Sequence, residues 1–262
     1  MILNNKIIWI TGASSGIGEA LAYQLASKNC KLILSGRNIE ALEKVKANCK
    51  SEFVAILPFD LVDFDNAKNN VEKAISMFGT VDILINNGGI SQRSLLAKTD
   101  FEVDKKLMEV DYLGTVALSK ALLPYFIDKK AGHFVTVTSL MGIFSSPYRS
   151  GYCGAKHALH GFFDALRMEH QKDSINVTLI CPGFINTNIS MNALTENGTS
   201  LNHIDNATKN GMEVSIFAKK TIKAIEKEKF EAYIGGKEII GVYLKRFFPK
   251  FLHYFVLRSK VR

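Results

Sequence analysis

Six short apolar runs punctuate the chain, over 7–10, 32–34, 53–57, 83–85, 134–137 and 177–180. They are rich in β-branched residues and do not alternate steadily with polar ones. That pattern suits parallel strands covered on both faces. Between and after them, segments 16–29, 38–49, 65–78, 101–129 and 151–171 carry helical periodicity. Strands and helices taken in turn read as a doubly wound α/β sheet.

The 262 residues, 47% of them hydrophobic, suffice for one large α/β domain with a buried core. No internal linker, repeat or low-complexity segment divides the chain. The segment 186–211 is polar and rich in asparagine. Its length inside a compact domain marks it as a lid or binding loop, and we expect it to be partly helical over 189–194. The four cysteines form no CxxC pair and lack metal-ligand spacing with histidine, which points to a reducing compartment and no metal site. His133, His157 and His160 read as ordinary surface or helix histidines. The opening MILNNKIIWITG has no basic region ahead of a long apolar one, and no run reaches the length of a spanning helix. A cytoplasmic location follows as an expectation.

Formal net charge is +8, and most of it lies between Lys237 and Arg262, where seven Lys/Arg face one acid, Glu238. No nucleic-acid-binding module accompanies this basic segment, so nucleic acid is not an expected partner. We divide the chain into a catalytic domain over 1–236, with a lid at 188–212, and a basic aromatic extension over 237–262.

The first apolar run ends in Thr11-Gly12-Ala13-Ser14-Ser15-Gly16-Ile17-Gly18. Glycines at a strand-to-helix turn let a pyrophosphate approach backbone N–H groups and a helix N-terminus. The placement implies a Rossmann-type nucleotide site. The second run ends in Ser35-Gly36-Arg37, where an NAD site usually offers an acid to the ribose. Arg37 instead suits a 2′-phosphate, so NADP(H) is the expected cofactor. Ser35 offers a hydroxyl contact. Asp60, beside Leu61 at the end of the third run, offers an acceptor for the adenine amino group. Asn86-Asn87-Gly88-Gly89 brings backbone close to the cofactor ribose. Tyr152 and Lys156 stand one helical turn apart in YCGAK, which puts a phenol and an ammonium on one helix face.

Together these pieces resemble the short-chain dehydrogenase/reductase family over roughly residues 5–235. TGASSGIG resembles its coenzyme motif. NNGG resembles its NNAG motif, with Gly88 in place of alanine. Ser139, Tyr152 and Lys156 match its catalytic serine and YxxxK. Pro182-Gly183 with Thr187 resembles the segment that grips the nicotinamide carboxamide. MEVDYLGTVALSKALLP and TNISMNALTENG are similar to the branch containing dehydrogenase/reductase member 7 and its B-type relative. Members of that branch act on lipophilic carbonyls and are often membrane-associated. One position departs: Asp111 stands where the family has the asparagine that stabilises a local helix distortion. A carboxylate there keeps the shape, loses an amide donor, and is costly to bury unless paired.

The resemblance implies hydride transfer between a nicotinamide and a carbonyl or alcohol carbon. Tyr152 would be the acid or base, Lys156 would favour its ionised form and hold the ribose, and Ser139 would bind the substrate oxygen. We expect an apolar substrate wall from Leu140, Met141, Ile143, Phe144, Phe184, Ile189, Met191 and Leu194, near Tyr148. Two other readings are a 3-oxoacyl-carrier-protein-type reductase and a non-enzymatic NADP-binding regulatory or structural protein. A homodimer or homotetramer through 101–129 and 151–171 is implied by the family. The tail, with Tyr243, Phe247, Phe248, Phe251, Tyr254 and Phe255 among basic residues, reads as two short amphipathic pieces broken by Pro249. These suit the surface of an anionic membrane, on its inner face, over 240–262.

Overall fold

The computed structural model describes residues 1–258; the tail residues 259–262, including Lys260 and Arg262, lie outside the described residues. The strands are β1 (Ile7–Thr11), β2 (Lys31–Ser35), β3 (Val54–Ile56), β4 (Ile83–Asn86), β5 (Gly132–Val137), β6 (Ile175–Pro182) and β7 (Glu231–Ile234). They form one sheet in the order β3-β2-β1-β4-β5-β6-β7, parallel throughout. The helices are α1 (Gly16–Ala26), α2 (Ile39–Asn48), α3 (Ala67–Phe78), α4 (Phe101–Met108), α5 (Gly114–Lys129), α6 (Ser150–Glu169), α7 (Asn206–Lys209), α8 (Val214–Glu226), α9 (Ile240–Phe247) and α10 (Pro249–Arg258). Strand order reverses between β1 and β4, so a crevice opens there at the C-terminal strand ends.

The steady apolar character of the runs has a simple cause. Successive side chains leave opposite faces of the sheet, and here both faces are covered. Ile8, Ile10, Leu32, Leu34, Ile83 and Ile85 pack on Leu21 and Leu25 of α1 and on Phe217, Ile222 and Ile225 of α8. Ile7, Trp9, Ile33 and Leu84 pack the other way, with Leu118, Leu122 and Phe126 of α5 and Leu159 and Phe163 of α6. Phe134 lies at the centre of this second layer, its ring centroid 5.0 Å from that of Phe126. Truncating such a side chain to alanine costs about 3–5 kcal/mol.

Several elements differ from the sequence reading. The segment 101–129 is not one regular helix: a π-helical turn, Glu109–Leu113, separates α4 from α5. The polar segment is not helical over 189–194 but forms hydrogen-bonded turns, including Asn192 N–H to the Asn188 carbonyl. Its helical turn comes later, at α7. Neither α8 nor β7 was expected. In α8, Phe217, Ala218, Thr221, Ile222 and Ile225 are buried at helical spacing, a readable pattern. The strand β7 has only four residues at the sheet edge. His133 is not a surface or helix residue. It lies on β5, wholly buried, with Nε2 2.9 Å from Thr178 Oγ1. Burial pushes its imidazole down to about 4, so it is neutral at physiological pH.

The C-terminal helices pack back onto the body. Val242, Leu244, Leu252 and Val256 join Leu140, Met141, Ile143, Phe144 and Cys181 in a separate apolar cluster. Pro249 opens α10, where its missing N–H removes no helical hydrogen bond. Among the described residues no helix is long and apolar enough to cross a membrane.

Candidate active site

A single cleft of about 1050 Å3 runs along the C-terminal strand ends. One part is built by the glycine turn. Gly12 has φ +63°, and a Cβ on it would lie 2.7 Å from Gly88 Cα, so only glycine allows the two loops to touch. Thr11 Oγ1 accepts the N–H groups of Asn87 and Gly88 at 3.0 and 3.1 Å. Asn87 Nδ2 donates to the carbonyls of Thr11 and Gly12 at 3.0 and 3.1 Å. The ends of β1 and β4 are thereby locked across the crevice. Ser15 precedes α1 in extended conformation without a side-chain cap. The first turn of α1 thus keeps N–H groups for a ligand.

Thr11, Gly12, Ser14, Ser15, Gly16, Ile17, Arg37, Asp60, Leu61, Asn87, Gly88, Gly89, Pro182, Gly183 and Thr187 all line this cleft. Gly18 does not; it packs under the turn against Gly12. Arg37 Nη1 lies 3.8 Å from Asp60 Oδ2, with both side chains exposed. Ser35 borders the cleft, but its hydroxyl accepts the Trp9 indole N–H at 2.8 Å and the residue is fully buried. That bond uses one acceptor site of the hydroxyl, which keeps its own hydrogen to donate.

Ser139, Tyr152 and Lys156 line the same cleft. Ser139 follows β5 and caps a short 3-10 turn, its Oγ accepting the Met141 N–H at 3.1 Å. That oxygen still has its own hydrogen to donate. Tyr152 and Lys156 lie on the first turns of α6, with Lys156 Nζ 5.6 Å from the Tyr152 ring centroid.

The π-helical turn presents Asp111 to this group. Asp111 Oδ1 accepts the Ile90 N–H at 2.7 Å, and Oδ2 lies 3.4 Å from Lys156 Nζ. Both side chains are buried. Gly89 allows the approach: a Cβ there would come within 3.1 Å of Asp111 Oδ1 and 3.2 Å of Lys156 Nζ. Burial pushes the Asp111 carboxyl above the usual carboxylate range, against the pull of Lys156 and the Ile90 N–H. Burial also works against the Lys156 ammonium, but Asp111 and Tyr152 outweigh it and hold the lysine above its ordinary value.

Of the expected apolar wall, Leu140, Met141, Phe144, Phe184, Ile189 and Leu194 line the cleft. Ile143 and Met191 do not: Ile143 packs toward the tail, and Met191 is exposed. Tyr148 also lies elsewhere, on a shallow depression beyond α6 with φ +68°. The tail supplies wall residues that the sequence reading did not assign to the cleft, among them Ile240, Leu244, Phe251, Leu252 and Val256.

Other positioning residues also escaped the sequence reading. Gln92 is fully buried, and its Oε1 accepts the Gly151 N–H at 2.9 Å and the Tyr152 N–H at 3.4 Å. It satisfies the free N-terminal groups of the helix that carries Tyr152. Glu238 Oε1 accepts the Phe184 and Gly236 N–H groups at 2.9 and 3.0 Å, tying the tail to the Pro182-Gly183 turn. Arg93 Nε and Nη2 both reach Asp205 Oδ2, at 3.0 and 2.8 Å, which fastens the polar segment 186–211 to the loop after β4. Among the described residues no cluster of three His, Cys, Asp or Glu could hold a metal ion.

The sequence profile described as "short chain dehydrogenase" matches residues 6–198. "Dehydrogenase/reductase SDR family protein 7-like" of Anopheles gambiae is 38% identical, over 98% of this chain and 84% of that protein. "Dehydrogenase/reductase SDR family member 7" of Homo sapiens is 47% identical over 73% of this chain and 59% of that protein. A short chain dehydrogenase/reductase of Burkholderia phymatum, solved in complex with NAD, shares the fold with TM-score 0.86 at 22% identity, over 96% of both chains.

Proposed function

This chain belongs to the short chain dehydrogenase family, and from that premise we propose that it reduces the carbonyl of a lipophilic substrate with NADPH. The observation that carries the reading is the sharing of one cleft. Gly12 and Arg37 lie at one end, Ser139, Tyr152 and Lys156 at the centre, and apolar side chains such as Phe144, Phe184 and Leu244 beyond.

The residues at the strand ends suit a dinucleotide. The close approach at Gly12 and the uncapped start of α1 fit a pyrophosphate. Arg37, exposed at the end of β2 with no acid on that strand end, suits a 2′-phosphate. Lys156 would hold the ribose, and Gly183 and Thr187 the carboxamide. A nicotinamide held there supplies the hydride. Ser139 donates its hydroxyl hydrogen to the substrate oxygen and orients the carbonyl. Tyr152 gives that oxygen its proton, so the carbonyl becomes an alcohol. Lys156, kept as an ammonium by Asp111, stabilises the phenolate left on Tyr152. The apolar wall from Phe144, Phe184 and the tail favours a lipophilic body on the substrate.

We place the outer face of α9 and α10 on an anionic lipid surface. Tyr243, Phe247, Phe248 and Tyr254 are exposed there, beside Lys245, Arg246, Lys250 and Arg258. The inner face of these helices borders the cleft, so a substrate dissolved in lipid would enter beside them. A homodimer or homotetramer along α4–α6 belongs to the same proposal.

The test is NADPH oxidation with a panel of steroid, retinoid and aromatic ketones. Wild type should turn over at least one class. Tyr152→Phe should lose turnover by orders of magnitude while still binding NADPH. Absence of turnover by wild type on every class would overturn the reading.

A further inference from the structure

Resting on that reading, we infer that the cleft takes an oxo acid, with the substrate carboxylate held by Arg149 while its carbonyl faces Tyr152. The observation is an excess of buried positive charge beside the reacting group. Arg149 immediately precedes α6, three residues before Tyr152, and both it and Arg93 line the cleft. The two arginine side chains are 5% and 9% exposed and share one acid, Asp205, itself 1% exposed.

That acid is already engaged. Its Oδ2 accepts two hydrogen bonds from Arg93, and its Oδ1 accepts the Thr208 N–H at 2.7 Å. Arg149 Nη1 donates to Ser146 Oγ at 3.0 Å. Its Nη2 stands 3.9 Å from Asp205 Oδ2, beyond hydrogen-bond reach, and has no hydrogen-bond partner among the described residues. A buried, charged donor without an acceptor is costly, and a substrate anion removes that cost. Burial, then Arg93, pushes the Arg149 guanidinium down to about 10, so it stays charged at neutral pH.

A carboxylate answers these donors in kind. It has two acceptor oxygens in a plane, and a guanidinium matches that geometry. The cleft also carries an apolar wall, with Leu140, Phe144, Phe184 and Leu244 in it, so the favoured substrate carries its charge at one end and hydrocarbon at the other. Arg149 and Tyr152 are one helical turn apart. A short spacer between acid and ketone therefore suits the pair better than a long one.

The experiment compares aryl oxo acids, with two to five methylene groups between ketone and carboxyl, against their methyl esters. Wild type should prefer the best acid over its ester by about ten- to hundredfold in kcat/KM, the range for a hydrogen bond to a charged group. In Arg149→Gln the acid-to-ester ratio should fall toward one, and Arg149→Lys should keep part of it. A ratio near one in wild type overturns the inference without any variant. A ratio that survives Arg149→Gln overturns it as well, since a purely structural arginine would lower both substrates together. A second readout separates this from the reductase reading. Decanoate and methyl decanoate, which have no ketone, are titrated against the full chain by calorimetry. Binding of decanoate alone, lost in Arg149→Gln, supports the anion site even if no ketone is reduced. Turnover of ketone esters with no binding of decanoate sinks the anion site and leaves the reductase intact.

Discussion

Lys156 Nζ lies 3.4 Å from Asp111 Oδ2, and both side chains are buried, Lys156 at the wall of the cleft. A direct ion pair thus fills the place where the resemblance led us to expect an asparagine. The cost of burying the carboxylate is offset in part by the ammonium and by the Ile90 N–H. Asp111→Ala removes both, strands the lysine and should lower stability by about 3–5 kcal/mol. Asp111→Asn keeps an acceptor for Ile90 and should recover part of that loss. Melting of the three proteins at neutral pH checks the order.

The same pair sets a pH dependence whose sign follows from the shifts. The Asp111 carboxyl is raised, so it takes a proton at higher pH than an ordinary carboxyl, which titrates near about 4. Its contribution to stability is full below that value and is lost as pH rises through the raised one. Lys156 is raised as well, so its contribution is full below about 10.5 and is lost above, as the ammonium deprotonates. Protonating Asp111 leaves Lys156 without its counter-ion. Wild-type kcat/KM should therefore fall on an acid limb above the ordinary carboxylate range, and Asp111→Asn should lack that limb. Identical acid limbs in the two proteins would disprove the coupling.

Arg37 stands exposed at the cleft end, 3.8 Å from Asp60. If it pairs with the 2′-phosphate, wild type prefers NADPH, and Arg37→Ala lowers the NADPH-to-NADH ratio of kcat/KM by about ten- to hundredfold. Equal use of both cofactors by wild type is the contrary result.

Gln92 joins the loop after β4 to the start of α6 through Gly151 and Tyr152. Gln92→Leu should cost about 1–3 kcal/mol, since it leaves buried N–H groups unmet. It should also reduce kcat more than cofactor affinity, because Tyr152 loses its anchor. An unchanged kcat in a protein that melts lower would assign Gln92 to stability alone.

The membrane proposal is best tested without truncation. Leu252 is buried and packs with Phe144, so removing α10 would open the core. Phe247 and Phe248 are exposed, and the double change to serine leaves that packing alone. Full-length protein should float with phosphatidylserine vesicles at low salt and less at high salt. The double variant should stay in the soluble fraction. Equal flotation of both proteins would remove these aromatics from the account.

The six expected strands, the glycine turn and the Tyr152–Lys156 spacing were legible because each rests on short-range pattern. Periodicity over a few residues decides which faces are apolar, and both faces of this sheet are covered. The missed α8 shows the same kind of signal and was readable in principle. With an acid at its start and only alternate residues buried, β7 offered no continuous apolar run to read. The break in the 101–129 helix was foreshadowed by Asp111 alone, which stands at the family's asparagine position.

The sequence by itself determined six strands of the sheet, all but one of the long helices that cover it and the order of the candidate catalytic residues, since chain neighbours and helical turns impose those relations locally. Only the tertiary structure decided what those residues touch. Gln92 meets Gly151 across 59 positions, Glu238 meets Phe184 across 54, and Asp205 meets Arg93 across 112. It also decided that His133 is buried, that Ser35 faces Trp9, and that the tail walls the cleft. The physical reason is that a hydrogen bond or a desolvated charge depends on distance and burial, and neither has a period along the chain.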